Sequence, residues 1–241
     1  MNNINKYDLQ NWGATLESSQ DFEAWSKGKT DFVKTPKIKL DDNFTPKVDS
    51  LKVAENNKNT VNLDKINSVE DFVAFINSQN NQLAEKSGAP VIGDIKTAPI
   101  LIIADMPSKD DDLNNKYLSD HRGVLFDKII KALGWKNADF SIVPCSFWRT
   151  IGERLLTPNE QTILQPIYKK LVDIIKPKYI MLWGSASLFT MTASFGNRNS
   201  SGFIDSNTFL TFSLQAVQNN TTYKKLFWNH LQEFNSTFKS K

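Results

Sequence analysis

Four short runs of this chain are apolar almost without a break: "PILIIAD" at 99–105, "FSIVPCSF" at 140–147, "KYIMLWG" at 178–184 and "NTFLTFS" at 207–213. A strand with one wet face alternates apolar and polar residues, and these runs do not. They read as strands buried on both faces, which is the signature of a largely parallel sheet covered by helices. The intervening segments carry the helical period. "RGVLFDKIIKALGW" puts Leu125, Ile129 and Leu133 on one face. "TPNEQTILQPIYKKLVDIIKPK" opens on Thr157-Pro158 with Glu160 at the third helical position, a strong start signal. Pro166 falls inside that pattern and is expected to kink it. A short helix is expected over "SASLFTMT", and an amphipathic one over "TYKKLFWNHLQEF". Ahead of the first strand, Ser68 and Asp71 form a capping-box variant, followed by Phe72, Phe75 and Ile76 at helical spacing. The expectation is an α/β fold, a three-layer α/β/α sandwich with a four-stranded, mainly parallel sheet, over residues 63–241.

Residues 1–62 differ in kind. The stretch "TPKIKLDDNFTPKVDSLKVAENNKNT" is rich in Lys, Asn, Asp and Thr and has no sustained period. It reads as a linker or loosely docked extension. Tyr7, Trp12, Phe22 and Trp25 precede it, available to dock on the core or on a protein partner. The chain has 241 residues, 40% of them hydrophobic, enough for a substantial core. Its longest apolar run is far too short to span a bilayer, and "MNNINKYDLQNW" lacks the features of a signal peptide. A cytoplasmic protein with no membrane partner is expected. With 29 basic and 26 acidic residues, a net charge of +3 neither requires nor forbids a nucleic-acid partner.

In open parallel sheets, ligands sit beyond the carboxyl ends of the strands. Four segments are therefore site candidates: 104–123, 144–157, 184–186 and 213–220. Asp105 ends the first run, and Pro107 holds the turn after it. This acid could orient a water or a substrate group, or cap its own loop by accepting backbone N–H bonds. Asp110, Asp111 and Asp112 point in different directions, so they read as a solvated charge run rather than a metal site. Of the two histidines, His121 lies in a loop at the ligand end and could act as a base or touch phosphate. His230 reads as structural or exposed. Cys145 reads as a buried hydrophobe. In "SFWRTIGER", Trp148 could stack on a base while Arg149 and Arg154 hold phosphates, or the arginines could pair with surface acids and Trp148 pack inward. Gly184 and Ser185 stand at a strand-to-helix turn whose N–H groups could hold a phosphate.

The order of these pieces resembles the uracil-DNA glycosylase superfamily, in particular its iron–sulfur branch, family four. "ILIIADMPSKDDDLNNKYLSDHRGVLFDKIIKALGW" is similar to that branch's strand followed by "GEAPG", "EED" and "GRPFVGRAGQLLD". Asp105 falls on the family's acid, Pro107 on its proline and Ser108 on its second glycine. "RTIGERLLTPNEQTILQPIYKKLVDIIKPKYIMLWGSAS" is similar to the segment "RPPGNRDPTPEE…CRPFLERQIELIRPKVIVALGRTA", with Arg149, Gly152, Arg154, Thr157, Pro158, Glu160, Pro166 and Gly184 retained. "TFSLQAVQNNTTYKKLFWNHLQ" follows the length of "TYHPAYLLRNP…W..L". The resemblance covers about 99–232.

The resemblance implies DNA as partner and hydrolysis of a base–sugar bond on a flipped nucleotide, as in base excision repair. Asp105 would orient water or stabilise the sugar cation; Arg149, Ser185 and Ser213 would contact phosphate or base. The departures are specific. The family's histidine-proline pair corresponds to Ser213 and Leu214, its base-reading asparagine to Pro144, and its stacking phenylalanine to Leu118. Two cluster cysteines correspond to Trp148 and Leu164, and the chain has one cysteine, which excludes the iron–sulfur cluster and leaves no cofactor implied. Two readings stay open: an active glycosylase with substitute groups, and a catalytically degenerate fold kept as a DNA-binding or protein-interaction module. A third is a small-molecule enzyme reusing Asp105 and His121.

Overall fold

The structure is a computed structural model that describes residues 63–79, 83, 88–184 and 201–240. The expected extension over 1–62, Ser185 and the helix expected over "SASLFTMT" lie outside the described residues. In chain order the elements are α1 (Val69–Ser78), β1 (Ile100–Ala104), α2 (Lys109–Asn114), α3 (His121–Leu133), β2 (Phe140–Pro144) and α4 (Pro158–Ile175). There follow β3 (Tyr179–Trp183), β4 (Gly202–Phe203), β5 (Thr208–Thr211), α5 (Leu214–Asn219) and α6 (Thr221–Lys239).

The helix starts follow from local chemistry. Ser68 accepts from the Asp71 N–H while the Asp71 carboxylate accepts from the Ser68 N–H, and Thr157 and Glu160 make the same reciprocal pair at the start of α4. Helix α4 continues through Pro166 to Ile175, where Lys176 ends it in a left-handed conformation.

The sheet has five strands in the order β2-β1-β3-β5-β4, one more than the four apolar runs predict. The first four strands are parallel: Ile100 aligns with Phe140 on one side and Tyr179 on the other, and Trp183 with Thr211. The addition, β4, is a two-residue antiparallel edge beside β5, too short to carry a period of its own. Asp205 closes the intervening turn by accepting from the N–H groups of Asn207 and Thr208.

Residues of β1 divide by parity between two cores, as the pleat requires. Ile100, Ile102 and Ala104 face a cluster with Leu125, Ile129, Leu214, Phe227, Leu231 and Phe234 from α3, α5 and α6. Leu101 and Ile103 face Phe72, Ile76, Leu164, Tyr168 and Leu171 from α1 and α4. The three-layer α/β/α arrangement is thus observed, with every residue of β1, β2 and β3 buried. Among the described residues no helix is long and apolar enough to cross a membrane. The chain leaves β1 for β2 on one side and returns to β3 on the other, so the strand order reverses between β1 and β3. A crevice opens beyond the carboxyl ends at such a switch point.

Candidate active site

A pocket of about 400 Å³ lies at that switch point, within the usual range of small-molecule sites, roughly 300–1,000 Å³. Asp105 enters it from the end of β1, Gly184 from the end of β3 and Ser213 from the segment after β5. Met106, Pro107, Ser108, Lys109 and Asp110 form one wall, Asp120, His121 and Arg122 a second, and Leu155, Gln215 and Asn219 complete the lining.

Asp105 bridges two elements. Its Oδ2 accepts from the Gln215 N–H at 3.1 Å, and its backbone carbonyl accepts from the Tyr117 hydroxyl at 2.7 Å. Burial raises the carboxyl above its ordinary range, against the N–H of Gln215, the Arg122 guanidinium and the Ser213 hydroxyl, which favour the ionised form. Ser213 caps α5, its hydroxyl accepting from the Ala216 N–H at 3.1 Å. Gly184 packs so closely on this cap that a Cβ there would stand 2.8 Å from the Ser213 Cβ.

A buried ion network holds the loop after Asp105. Arg122 donates from Nη2 to Asp111 at 2.7 Å, from Nε to Asp120 at 2.9 Å, and from Nη1 to the Met106 carbonyl at 3.0 Å. Asp111 has no solvent exposure; it also caps α2 reciprocally with Ser108 and accepts from the N–H and hydroxyl of Ser119. This corrects the expectation of a solvated charge run over 110–112. Asp110 is exposed at the pocket and Asp112 pairs with Arg149, but Asp111 is the anionic centre of the fold beneath the site. The sequence carries a signal for this in Ser108-x-x-Asp111, the same capping-box pattern as Ser68-x-x-Asp71. Burial also pushes Asp120 up, yet the Arg122 N–H and guanidinium together hold its carboxyl below the ordinary range.

The structure therefore brings Asp105, Pro107, Ser108, His121, Gly184 and Ser213 to one pocket. His121 is the first residue of α3, exposed, rather than part of a free loop. Leu118, Pro144, Arg149 and Arg154 are not among the lining residues. Leu118 packs against the core with a left-handed backbone, and Pro144 is buried, its carbonyl accepting from the Tyr168 hydroxyl. Trp148 is buried, so of its two readings the inward packing holds. Arg149 pairs with Asp112 at 3.1 Å, and Arg154 makes two bonds to Glu160, at 2.8 and 2.6 Å. Cys145 is buried and burial pushes its thiol far up, which removes it as a nucleophile. His230 is structural: it bonds Ser201 and Thr211 and stacks on Phe212. Met106, Lys109, Asp120, Arg122, Leu155, Gln215 and Asn219 were not singled out from sequence. All seven fall inside the flagged segments 104–123, 144–157 and 213–220, and Gln215 and Asn219 stand four residues apart, which is one helical face.

Among the described residues, no cluster of His, Cys, Asp and Glu has the geometry of a metal site. The family model of the uracil DNA glycosylase superfamily matches residues 90–233, well over half of the chain and the whole of the pocket lining. A search of the curated proteins finds no match.

Proposed function

This chain belongs to the uracil DNA glycosylase superfamily, and on that footing we propose that it hydrolyses the N-glycosidic bond of a damaged or deaminated base in DNA. The target nucleotide flips out of the stack and places its base in the pocket beyond β1, β3 and β5. The carbon–nitrogen bond then breaks, its electron pair leaving with the base. Water adds to the sugar carbon and gives up a proton. Asp105 orients that water and accepts its proton, and while ionised it stabilises the positive charge growing on the sugar. A carboxyl raised by burial is a stronger base than a solvated one. Lys109 and His121 at the rim meet the strand backbone.

The observation that carries this reading is the position of Asp105. It is a desolvated carboxylate at the switch point of a parallel sheet, opening into a pocket large enough for a base. An abasic-site assay tests it, on single- and double-stranded oligonucleotides containing uracil, with Asp105→Ala as control. Release that falls at least ~100-fold in the variant supports the reading, that being the usual worth of a positioned general base. Release that survives in Asp105→Ala removes Asp105 from the chemistry.

A second reading, a DNA-binding module without chemistry, is favoured by what Ser213 does. It stands where the family's histidine would, and its hydroxyl is engaged in capping α5. Oligonucleotide binding that weakens steeply with salt, with no base release, would support that reading.

A further inference from the structure

We propose that the edge of the bound base is read by the side-chain amides of Gln215 and Asn219 on α5, an inference that rests on the pocket taking a base. The position that the resemblance assigns to base reading, the end of β2, holds Pro144, which is buried and has no side-chain donor. Recognition therefore needs another source of paired donors and acceptors.

Both residues line the pocket and both are exposed. No hydrogen bond to another described residue engages either side-chain amide. They stand at i and i+4 of one helix, where side chains lie one above the other, roughly 5–6 Å apart at Cβ, a spacing that one planar heterocycle spans. Each amide offers an acceptor oxygen and two N–H donors. That is the complement of a lactam edge, a carbonyl beside an N–H, which deamination of an amino base creates. Amide side chains read base edges in this bidentate way.

The geometry also fixes the reader to the chemistry. The N–H of Gln215 bonds the Asp105 carboxylate, so the first turn of α5 and the acid are one rigid unit. A base held by Gln215 and Asn219 presents its sugar bond at a set distance from Asp105. No Phe, Tyr or Trp side chain lines the pocket among the described residues; Met106 and Leu155 are its large apolar groups, available to the faces of the ring. Amides on the edge would then supply the selectivity that a stacking ring alone could not.

The test uses the full chain and two variants that remove the amides while keeping length and bulk, Gln215→Met and Asn219→Leu. Both residues are exposed, and melting temperatures serve as the control for folding. Free uracil and hypoxanthine are titrated by NMR, and base release is measured in parallel. The inference expects wild type to bind a free base and each variant to bind it about tenfold more weakly or worse. Wild-type binding that both variants retain overturns it, as does failure of the wild type to bind either base. Base release by the wild type that is undiminished in both variants overturns it too and leaves the glycosylase reading standing. Free-base binding that depends on the amides, with no release from any substrate, keeps this inference and sinks the glycosylase reading.

Discussion

Two loops leave the carboxyl edge of the sheet side by side, and they are built on opposite principles. The loop after β1, residues 105–122, is organised from within: Asp111 and Arg122 are buried, and the Met106 carbonyl, Ser108, Ser119 and Asp120 all bond to one or the other. The loop after β2, residues 145–157, packs Cys145, Phe147, Trp148 and Leu156 inward and leaves Ile151, Gly152, Arg154, Leu155 and Thr157 at the surface. Its arginines pair in partial exposure, and Ile151 and Leu155 are 65% and 69% exposed. A buried ion network gives little net stability, because desolvation offsets its attraction, but it penalises every other arrangement of the same residues. The first loop is thus held to one geometry and carries Asp105. The second holds its arginines in partly exposed pairs, and contributes Leu155 to the pocket.

The largest way to break this contrast is Arg122→Met. It strands Asp111 in the interior and removes the donor on the Met106 carbonyl, and should cost about 3–5 kcal/mol of stability. Adding Asp111→Asn should recover part of the loss, because one uncompensated charge goes with it while Asp120, 6% exposed, still lacks its guanidinium. Urea denaturation of both singles and the double measures the coupling. A loss under about 1 kcal/mol for Arg122→Met would mean the first loop is no more committed than the second.

Next in size is a paired comparison of glycines. A Cβ on Gly123 would stand 2.0 Å from the Leu118 carbonyl oxygen, so the alanine forces backbone to move; a Cβ on Gly152 meets nothing within 4 Å. Gly152 does have φ +67, so Gly152→Ala should cost about 1–2 kcal/mol from the left-handed backbone alone. Gly123→Ala should cost more, about 3 kcal/mol or above, in the range of core overpacking and beyond. Thermal melts that rank them in reverse would overturn the assignment of rigidity.

Asp105→Asn sharpens the contrast with the opposite sign. Burial raises this carboxyl, so the folded state binds its proton more tightly than the unfolded chain does. The wild type therefore loses stability as pH rises from the ordinary carboxylate range through the raised folded value. Asparagine keeps an oxygen for the Gln215 N–H and has no charge to desolvate. The variant should be more stable at pH 7 by up to ~1 kcal/mol, the net worth of one such interaction. The gain should shrink towards zero as pH falls below about 4, where the wild-type carboxyl is protonated as well. Melting curves from pH 3 to 8 check this. A variant less stable than wild type at pH 7 would show that the ionised carboxylate supports the fold.

The same contrast explains what the sequence discloses. Apolar runs and their intervals announce the parallel sheet, because burial on both faces is a local property of each strand. The capping residues Ser68 and Thr157 are equally local, and both helices begin where they say. Edge strand β4 leaves no trace in two residues. Asp111 reads as solvent-facing because its neighbours Asp110 and Asp112 are exposed or paired at the surface, while its own partner Arg122 is eleven positions away. The pocket's acid, Asp105, is legible from its place at a strand end. Gln215 and Asn219 are not, since nothing in "SLQAVQN" says which helix face meets the cavity.

The smallest expected effect lies at Glu160, in the first turn of α4, which holds Arg154 of the second loop. Its carboxylate accepts from Arg154 and from the Thr157 N–H at 2.8 Å, and with the Arg154 guanidinium foremost it is held down at about 2. Glutamine can replace the reciprocal cap on Thr157, so Glu160→Gln isolates the charge. Arg154 is 42% exposed, and the pair is therefore screened by solvent. The loss at pH 7 should be under about 1 kcal/mol. A carboxyl depressed on folding contributes stability that is fully present above its unfolded value of 4.5 and lost as pH falls through about 2. Wild type and variant should thus differ slightly at pH 7 and converge between pH 4.5 and 2, and thermal melts at 0.05 and 0.5 M salt should bring them together at neutral pH too. If salt leaves the difference unchanged while Arg122→Met is equally insensitive, the two loops share one electrostatic character, and the division between a wall set by buried charge and a wall paired at the surface fails.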